Sequence, residues 1–473
     1  MTSPSELVGC RYRAVQRAAH PDVPPTEAAQ ARAARIDAAL AAVHNLLPQS
    51  PAMGDARYFR RVSAGKSYFE TLECLAAGDT LITEAVLEWG RFQITVDILV
   101  AFEDGYLPIM VSNHRAARNH SGVQARYLAV PRLGLGSVLT GEFKIRHHAL
   151  DTYRLALAGR ALSEMDLSCG LGGTIGQDRT RAFLEPLAPL DEALTRALQV
   201  ETPRAPRRVK ECDSCRYWSL CSVELERADD ISLLLPGDRA NPYRERGIHT
   251  VGGLIEADLG EASLLAAAFR SGQTVVPRGL LSAPRFDVEL FIDLEAYLDQ
   301  GAYLWGAWDG SAYHAFTAWS LAEEASAFAD FWAYLCDTRA TATANGQTFG
   351  AFCYSAHGEN HWMRASARRF AGQPGVPTVA EVEEFINSGY WVDVFQLVRA
   401  QLIGPFGLGL KVVAPAAGYH YSGDVDGESS VNLFLDAAAG SAAARTALLN
   451  YNEDDCRATA AVRDFLERSD APL

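Results

Sequence analysis

The sequence predicts an α/β protein built from two sheet-bearing domains joined by a helical stretch. Three observations carry that prediction. Apolar runs of strand length alternate with turn residues over 81–111 and again over 288–319, and helix-period segments lie between and after them. The chain has 473 residues, more than one ordinary core can serve. A hydrophobic content of 48% with 21% charged residues belongs to a globular chain.

The charge is unevenly spread. Residues 1–230 hold 27 Lys+Arg against 28 Asp+Glu, and the remainder holds 16 against 30. A second half this acidic repels a long phosphate backbone, so nucleic acid must be met by local basic patches or by the first half. No apolar run is long enough to cross a membrane, and MTSPSELVGCRYR lacks a secretory core. Nine unevenly spaced cysteines do not form a disulfide framework. These features predict a cytoplasmic location.

Residues 1–50 are Ala- and Arg-rich and read as two helices broken at His20 to Glu27. Arg57, Arg60 and Arg61 form a basic-aromatic cluster. The following SAGKS (63–67) lacks the first glycine of a phosphate-binding loop, because Arg60 stands in its place. TLITEAVLEW, FQITVDILVAF and YLPIMVSNH read as successive strands, with Glu103-Asp104-Gly105 as a hairpin turn. Asp97 lies inside an apolar strand, a costly place unless it is paired or binds a metal. Residues 147–162 and 190–200 read as helices, and CGLGGTIG (169–176) between them as a hairpin or turn.

Cys212-x₂-Cys215-x₅-Cys221 follows the basic run Arg204 to Lys210. Three thiols in ten residues are a metal signal; zinc takes four N or S ligands and an iron–sulfur cluster four thiolates. Cys10 is the natural fourth. This arrangement resembles the iron–sulfur RecB-like nucleases of the PD-(D/E)XK superfamily, CRISPR-associated members included. There one cysteine precedes the nuclease fold and three follow it. The resemblance covers about residues 5–225 and implies a [4Fe–4S] cluster on Cys10, Cys212, Cys215 and Cys221, with zinc as the alternative. It places the first metal acid on Asp97. The E-x-K of the next strand falls on Met110-Val111-Ser112, where both carboxylate and lysine are missing. The first domain is therefore expected to be a degenerate nuclease that grips nucleic acid through Arg57, Arg60, Arg61, His114 and the run at 204–210.

YRERGIHTVGGL (243–254) resembles a helix-hairpin-helix unit, which binds phosphates through backbone N–H groups. A plain helical linker is the competing reading. Two prolines within 273–285 mark the next boundary.

VELFIDLE (288–295) then delivers Asp293 and Glu295 two apart, on one face of a strand. Paired carboxylates suit Mg²⁺ or Mn²⁺. Strands at 303–309 and 312–319 follow, then a helix from about Leu321, a strand at 348–354 and a helix beginning near Glu359. LLNYNEDDCRAT (448–459) is helical and puts Tyr451 and Asp455 on one face. His357 and His361 flank Glu359, and Asp454 is expected to face solvent.

This set resembles the RNase H-like DEDDy proofreading exonucleases, whose motifs are D-x-E, a later acid and Y-x₃-D. The resemblance covers about 286–470. It implies metal binding by Asp293, Glu295, Glu359 and Asp455, with Glu359 where most members carry Asp, and orientation of the attacking water by Tyr451. WVDVFQL (391–397) and GLGLKVV (407–413) look like the family's connecting segments. The whole layout resembles a bacterial family of RecB-like nucleases that carries both modules: 1–228 the PD-(D/E)XK domain with its iron–sulfur staple, 229–283 the helical link, and 284–473 the exonuclease domain. The implied activity is two-metal 3′–5′ hydrolysis of single-stranded DNA or RNA, in DNA repair or processing, with room for a repair-protein partner. The competing readings are a non-catalytic nucleic-acid-binding factor with both centres decayed, and an interaction scaffold.

Overall fold

The computed structural model describes residues 2–50, 58–297, 301–423 and 427–467. It divides into two compact units, Met1–Arg246 and Gly247–Leu473. Arg57 lies outside the described residues.

In the first unit the helices α1 (Arg13–Ala19) and α2 (Glu27–Leu46) precede strand β1 (Arg61–Ser63) and helix α3 (Tyr68–Ala76). Strands β2 (Leu81–Trp89), β3 (Phe92–Phe102) and β4 (Gly105–Val111) form a meander, followed by the ribbon β5 (Ala117–Ala129) and β6 (Leu139–Ile145). Helix α4 (Ala149–Glu164), strands β7 (Leu171–Ile175) and β8 (Arg181–Pro186), and helices α5 (Leu187–Gln199), α6 (Trp218–Arg227) and α7 (Asn241–Arg244) complete it. The eight strands form one sheet in the order β1-β2-β3-β4-β7-β8-β5-β6. Period-2 alternation gives each central strand two apolar faces. Ile94, Val96, Leu99 and Met110 pack against Leu155, Ala158 and Leu162 of α4. Ile98, Val100, Ile109 and Val111 pack with Ala39 and Val43 of α2.

Residues 169–176, expected as a hairpin or turn, hold strand β7, which pairs parallel with β4 and antiparallel with β8. The glycines serve close packing here. A Cβ at Gly173 would lie 2.9 Å from Ile109 Cγ1, and one at Gly176 2.4 Å from the Ala116 nitrogen.

The second unit opens with α8 (Val251–Glu256) and α9 (Glu261–Ser271), then β9 (Val276–Pro277). Thr250 caps α8 by accepting from the Gly253 N–H at 2.9 Å. Strands β10 (Val288–Tyr297), β11 (Gly301–Trp308) and β12 (Tyr313–Thr317) form an antiparallel meander. Helix α10 (Glu324–Ala344), strand β13 (Phe349–Cys353), helices α11 (His357–Arg369) and α12 (Val379–Ile386), strand β14 (Trp391–Asp393) and helix α13 (Val394–Gln401) follow. Strand β15 (Leu402–Ile403), α14 (Leu410–Ala416), α15 (Gly427–Ala438) and the long α16 (Ala442–Glu467) finish the unit.

Its main sheet runs β12-β11-β10-β13-β14, with β10 antiparallel to β11 and parallel to β13. Leu290 and Ile292 of β10 face α10 and α11. Phe291 points the other way, into a core with Val394 of α13, Val413 of α14 and Val462 of α16. Asp293 and Glu295 share the parity of Phe291, so the sheet aims both acids at the side that α16 covers.

Candidate metal centre

Helix α16 brings the third acid. Carboxylate oxygens of Asp293, Glu295 and Asp455 all lie within 4.8 Å of one another. Asp455 is buried, and the two strand acids are half-buried. Tyr451 lies one turn before Asp455, close enough that its hydroxyl helps hold down that carboxyl's raised pKa. Glu359, in the first turn of α11, is 6% exposed, and its Oε2 has no hydrogen-bond partner. It stands outside the tight three-acid group but is close enough for its charge to be felt at Asp293. His357 and His361 on either side of it are exposed.

Burial and mutual repulsion dominate the electrostatics. Burial, then the charges of Asp455, Glu295 and Glu359, hold the Asp293 carboxyl well above its ordinary range. Burial and Asp455 push Glu295 up to about 8, with Lys411 pulling against them. Burial pushes Glu359 up to about 8, and Asp393 adds to it. Asp455 is raised by burial and held back by Tyr421, Lys411 and Tyr451. Carboxylates crowded this way keep their protons near neutrality unless a cation joins them. That donor set, oxygen only and densely anionic, fits Mg²⁺ or Mn²⁺.

Four residues of this centre carried no legible role in the sequence. Asn452 is fully buried; its Nδ2 donates to Asp293 Oδ2 at 2.7 Å, and its Oδ1 accepts from the Tyr313 hydroxyl at 2.7 Å. Gly306 stands opposite Asp293 on β11. A Cβ there would fall 1.7 Å from Asn452 Oδ1. The Tyr421 hydroxyl donates to Asp455 Oδ1 at 2.9 Å. The Lys411 ammonium sits 4.6 Å from the Tyr451 ring centroid and 5.5 Å from that of Tyr421. Lys411 lies inside the GLGLKVV segment, which was its only signal.

Asp454 does not simply face solvent. It is half-buried, accepting from the Tyr419 hydroxyl at 2.6 Å and from Ser422 Oγ at 2.6 Å. It thereby fixes the turn that presents Tyr421. Asp393, at the end of β14, accepts from Phe395 N–H to cap α13 and from Ser355 and Ala356 N–H at 3.0 and 3.1 Å. Ser355, held in a left-handed conformation (φ +73°), thus leads into the helix start that carries Glu359.

In the first unit, Asp97 is accounted for without a metal. Its Oδ2 accepts from Val111 N–H at 2.7 Å, and its Oδ1 pairs with Arg154 of α4 at 3.0 Å. Met110 is fully buried in the core. Ser112 is buried; its hydroxyl accepts from the His114 N–H and its carbonyl from Arg179. The basic cluster is engaged in part, while Arg204, Arg207 and Lys210 are exposed. Arg61 donates to the Leu47 and His44 carbonyls, Arg60 pairs with Asp79, and Arg208 donates to the Leu233 carbonyl.

Cys10, Cys212, Cys215 and Cys221 are all free thiols in the first unit. Burial raises the Cys221 thiol to about 11, with Cys10, Cys215 and Cys212 all adding to the shift. Val209 N–H donates to Cys212 Sγ at 3.4 Å, and Gln16 Nε2 to Cys221 Sγ at 3.5 Å. Two ties hold the flanking segments together: Arg216 Nη1 donates to the Val23 carbonyl at 2.9 Å, and the Thr26 hydroxyl to the Ser214 carbonyl at 3.2 Å.

A sheet ordered β12-β11-β10-β13-β14, with a D-x-E strand at its centre and a closing helix that returns a third acid, places the second unit in the RNase H-like class. Residues 290–467 match the family model described as the RNase_H superfamily. No curated protein and no solved structure matches the chain.

Proposed function

We propose that the second unit is a 3′–5′ exonuclease of the DEDDy kind acting on single-stranded DNA or RNA. The observation that carries this reading is the convergence of Asp293, Glu295 and Asp455, with buried Glu359 beside them, on the RNase H-like sheet. RNase H-like domains usually hydrolyse phosphodiesters. Asp293, Glu295, Asp455 and Glu359 would hold Mg²⁺ or Mn²⁺, which when bound activates water and neutralises charge on the phosphate. Asn452 and Tyr313 orient Asp293 in a chain of hydrogen bonds. Tyr421 donates to Asp455 and orients its carboxylate, with Tyr451 one turn away from Asp455 on the same helix. The Tyr451 hydroxyl is the group we assign to the attacking water. The acidic second half disfavours long duplex and so favours a short single-stranded end.

The first unit, in this reading, is a decayed PD-(D/E)XK nuclease that binds nucleic acid and is held closed by a [4Fe–4S] cluster on Cys10, Cys212, Cys215 and Cys221. Three observations support the cluster. All four donors are thiols, Cys212 and Cys221 each lie within electrostatic reach of the other three, and both already accept N–H hydrogen bonds of the kind that tune cluster sulfurs. Repair or processing of DNA, with a protein partner, is the setting these modules suit.

The test is digestion of end-labelled single strands with Mg²⁺ or Mn²⁺. Wild type should shorten the strand stepwise from its 3′ end. Asp293→Ala should abolish this while leaving binding nearly unchanged. Full activity in Asp293→Ala would show that the site is wrongly placed, and an inactive wild type with either metal would leave a binding factor instead.

A further inference from the structure

We infer that the β5–β6 pair at the edge of the sheet binds the phosphodiester backbone of nucleic acid, through Arg118, Arg126, Lys144 and Arg146. Of the cations expected to meet the backbone, Arg60, Arg61 and Arg208 are engaged in the fold's own bonds, and the exposed Arg204, Arg207 and Lys210 lie in one run outside any strand. The ribbon is different. Residues 115–146 hold six Lys+Arg and one Asp+Glu, in a chain whose totals are 43 and 58.

The register sorts these charges onto one face. Arg118 stands directly opposite Lys144, Gln124 opposite Glu142, and Arg126 opposite Thr140. Cross-strand partners point the same way, and the parity of β6 carries Arg146 to that side too. The other face is apolar: Ala125 and Phe183 pack there with Ala117, Tyr127, Phe143 and Ile145. The ribbon is therefore docked by one side and basic on the other.

All four cations are exposed, and none makes an ion pair among the described residues. The one acid on this face, Glu142, is turned to the Gly122 N–H at 3.3 Å. Like charges directly opposite each other weaken a strand pair, so the Arg118–Lys144 juxtaposition does nothing for the fold. An anion laid between the two would remove that repulsion. Lys144 and Arg146 are about 6.8 Å apart along the strand, a spacing suited to a repeating polyanion. The exposed apolar side chains of this pair, Val123 and Leu139, lie in the bulge and opposite Tyr127 of the apolar face, which leaves the basic face of this outer sheet pair open to a strand laid along it.

The inference deepens the reading of the chain as one that acts on nucleic acid, and it is tested without hydrolysis. Fluorescence anisotropy of the full chain, without divalent metal, would follow labelled strands of about 20 nucleotides as KCl rises from about 50 to 200 mM. Single-stranded DNA, single-stranded RNA and duplex are the three arms, which separate the sources of the backbone. The combined variant Arg118→Ala, Lys144→Ala, Arg146→Ala should weaken binding at least tenfold in the preferred arm. It should also flatten the slope of log affinity against log salt by about 2, three contacts at roughly 0.7 each. Lysine in place of both arginines should restore the slope. Asp293→Ala should keep the wild-type slope while cleaving nothing, so a failure of the nuclease reading leaves this result standing. An unchanged slope in the alanine variant, with its melting temperature also unchanged, would overturn the inference. So would displacement of the oligonucleotide by polyglutamate at equal charge concentration.

Discussion

Asp293 faces Gly306 across the β10–β11 pair, and the space left by the absent side chain is where Asn452 reaches through to hold the aspartate. Any Cβ at 306 competes with the Asn452 amide. Gly306→Ala should therefore cost about 1–3 kcal/mol as an overpacking substitution, and it should lower nuclease activity further than its loss of stability explains. Thermal unfolding beside strand digestion checks both. An alanine variant with wild-type stability and activity would show that Asn452 has room to move.

Tyr421 donates to Asp455 and Tyr451 lies one turn before it on α16, and the nuclease reading gives them different work. Tyr421→Phe loses one hydrogen bond to a charged group, about 1.5–3 kcal/mol. Tyr451→Phe should slow hydrolysis by roughly 10- to 100-fold, because the hydroxyl meets the water. Tyr421→Phe should act mainly by weakening metal affinity and be rescued by more Mn²⁺. Rescue of Tyr451→Phe by metal alone would reverse the assignment.

Glu295 and Glu359 rise from 4.5 to about 8 in the folded chain. An acid with a raised folded pKa binds more protons folded than unfolded. Stability contributed by the protonated forms is thus full below about pH 4.5 and is lost as pH climbs through about 8. Metal-free protein should melt at a falling temperature across that window. The stabilisation given by Mg²⁺ or Mn²⁺ should be larger at pH 8 than at pH 6, since the ion then meets carboxylates already ionised. Calorimetry at the two pH values with and without metal is the measurement; a metal effect greater at pH 6 would contradict the crowding of these acids.

Arg154 neutralises Asp97 in the first unit. Arg154→Ala leaves a buried carboxylate with only the Val111 N–H, and should destabilise that unit by about 3 kcal/mol. Asp97→Asn should leave strand digestion untouched. Cleavage that disappears with Asp97→Asn would show that this centre is alive.

Protein purified without oxygen should be brown, with iron and sulfide that Cys212→Ser releases. A colourless protein with stoichiometric zinc would replace the cluster by an ion.

The legible part of the candidate site was the part with a period. Asp293 and Glu295 declared themselves by alternation along a strand, and Tyr451 and Asp455 by spacing along a helix. Asn452 sits between those two on the same helix, yet nothing local marks its amide as the partner of an aspartate 159 residues away. Tyr421 reaches the site because Asp454 anchors its turn, an arrangement that exists only once α16 has docked. In the fold, the glycines of 169–176 suggested a turn because a glycine needed for close packing and one needed for a bend look alike in sequence. Asp97 was recognised as a cost; that Arg154 offsets it depended on where α4 lies.

Helix α16 is tied to β10 at two places, Asn452 to Asp293 and Arg463 to Glu289. The ties are four residues apart on the strand and eleven on the helix, about 13 and 16 Å in their different rises. A helix joined to a strand by one bond can slide a turn or swivel about it. Fixed at two points whose spacings do not match, it has a single seating, as a vernier reads at one mark only. A shift of one turn would carry Asp455 about 5.4 Å out of reach of the strand acids. Alignment of the three acids is thereby set from outside the centre, at a buried arginine on the far end of the helix.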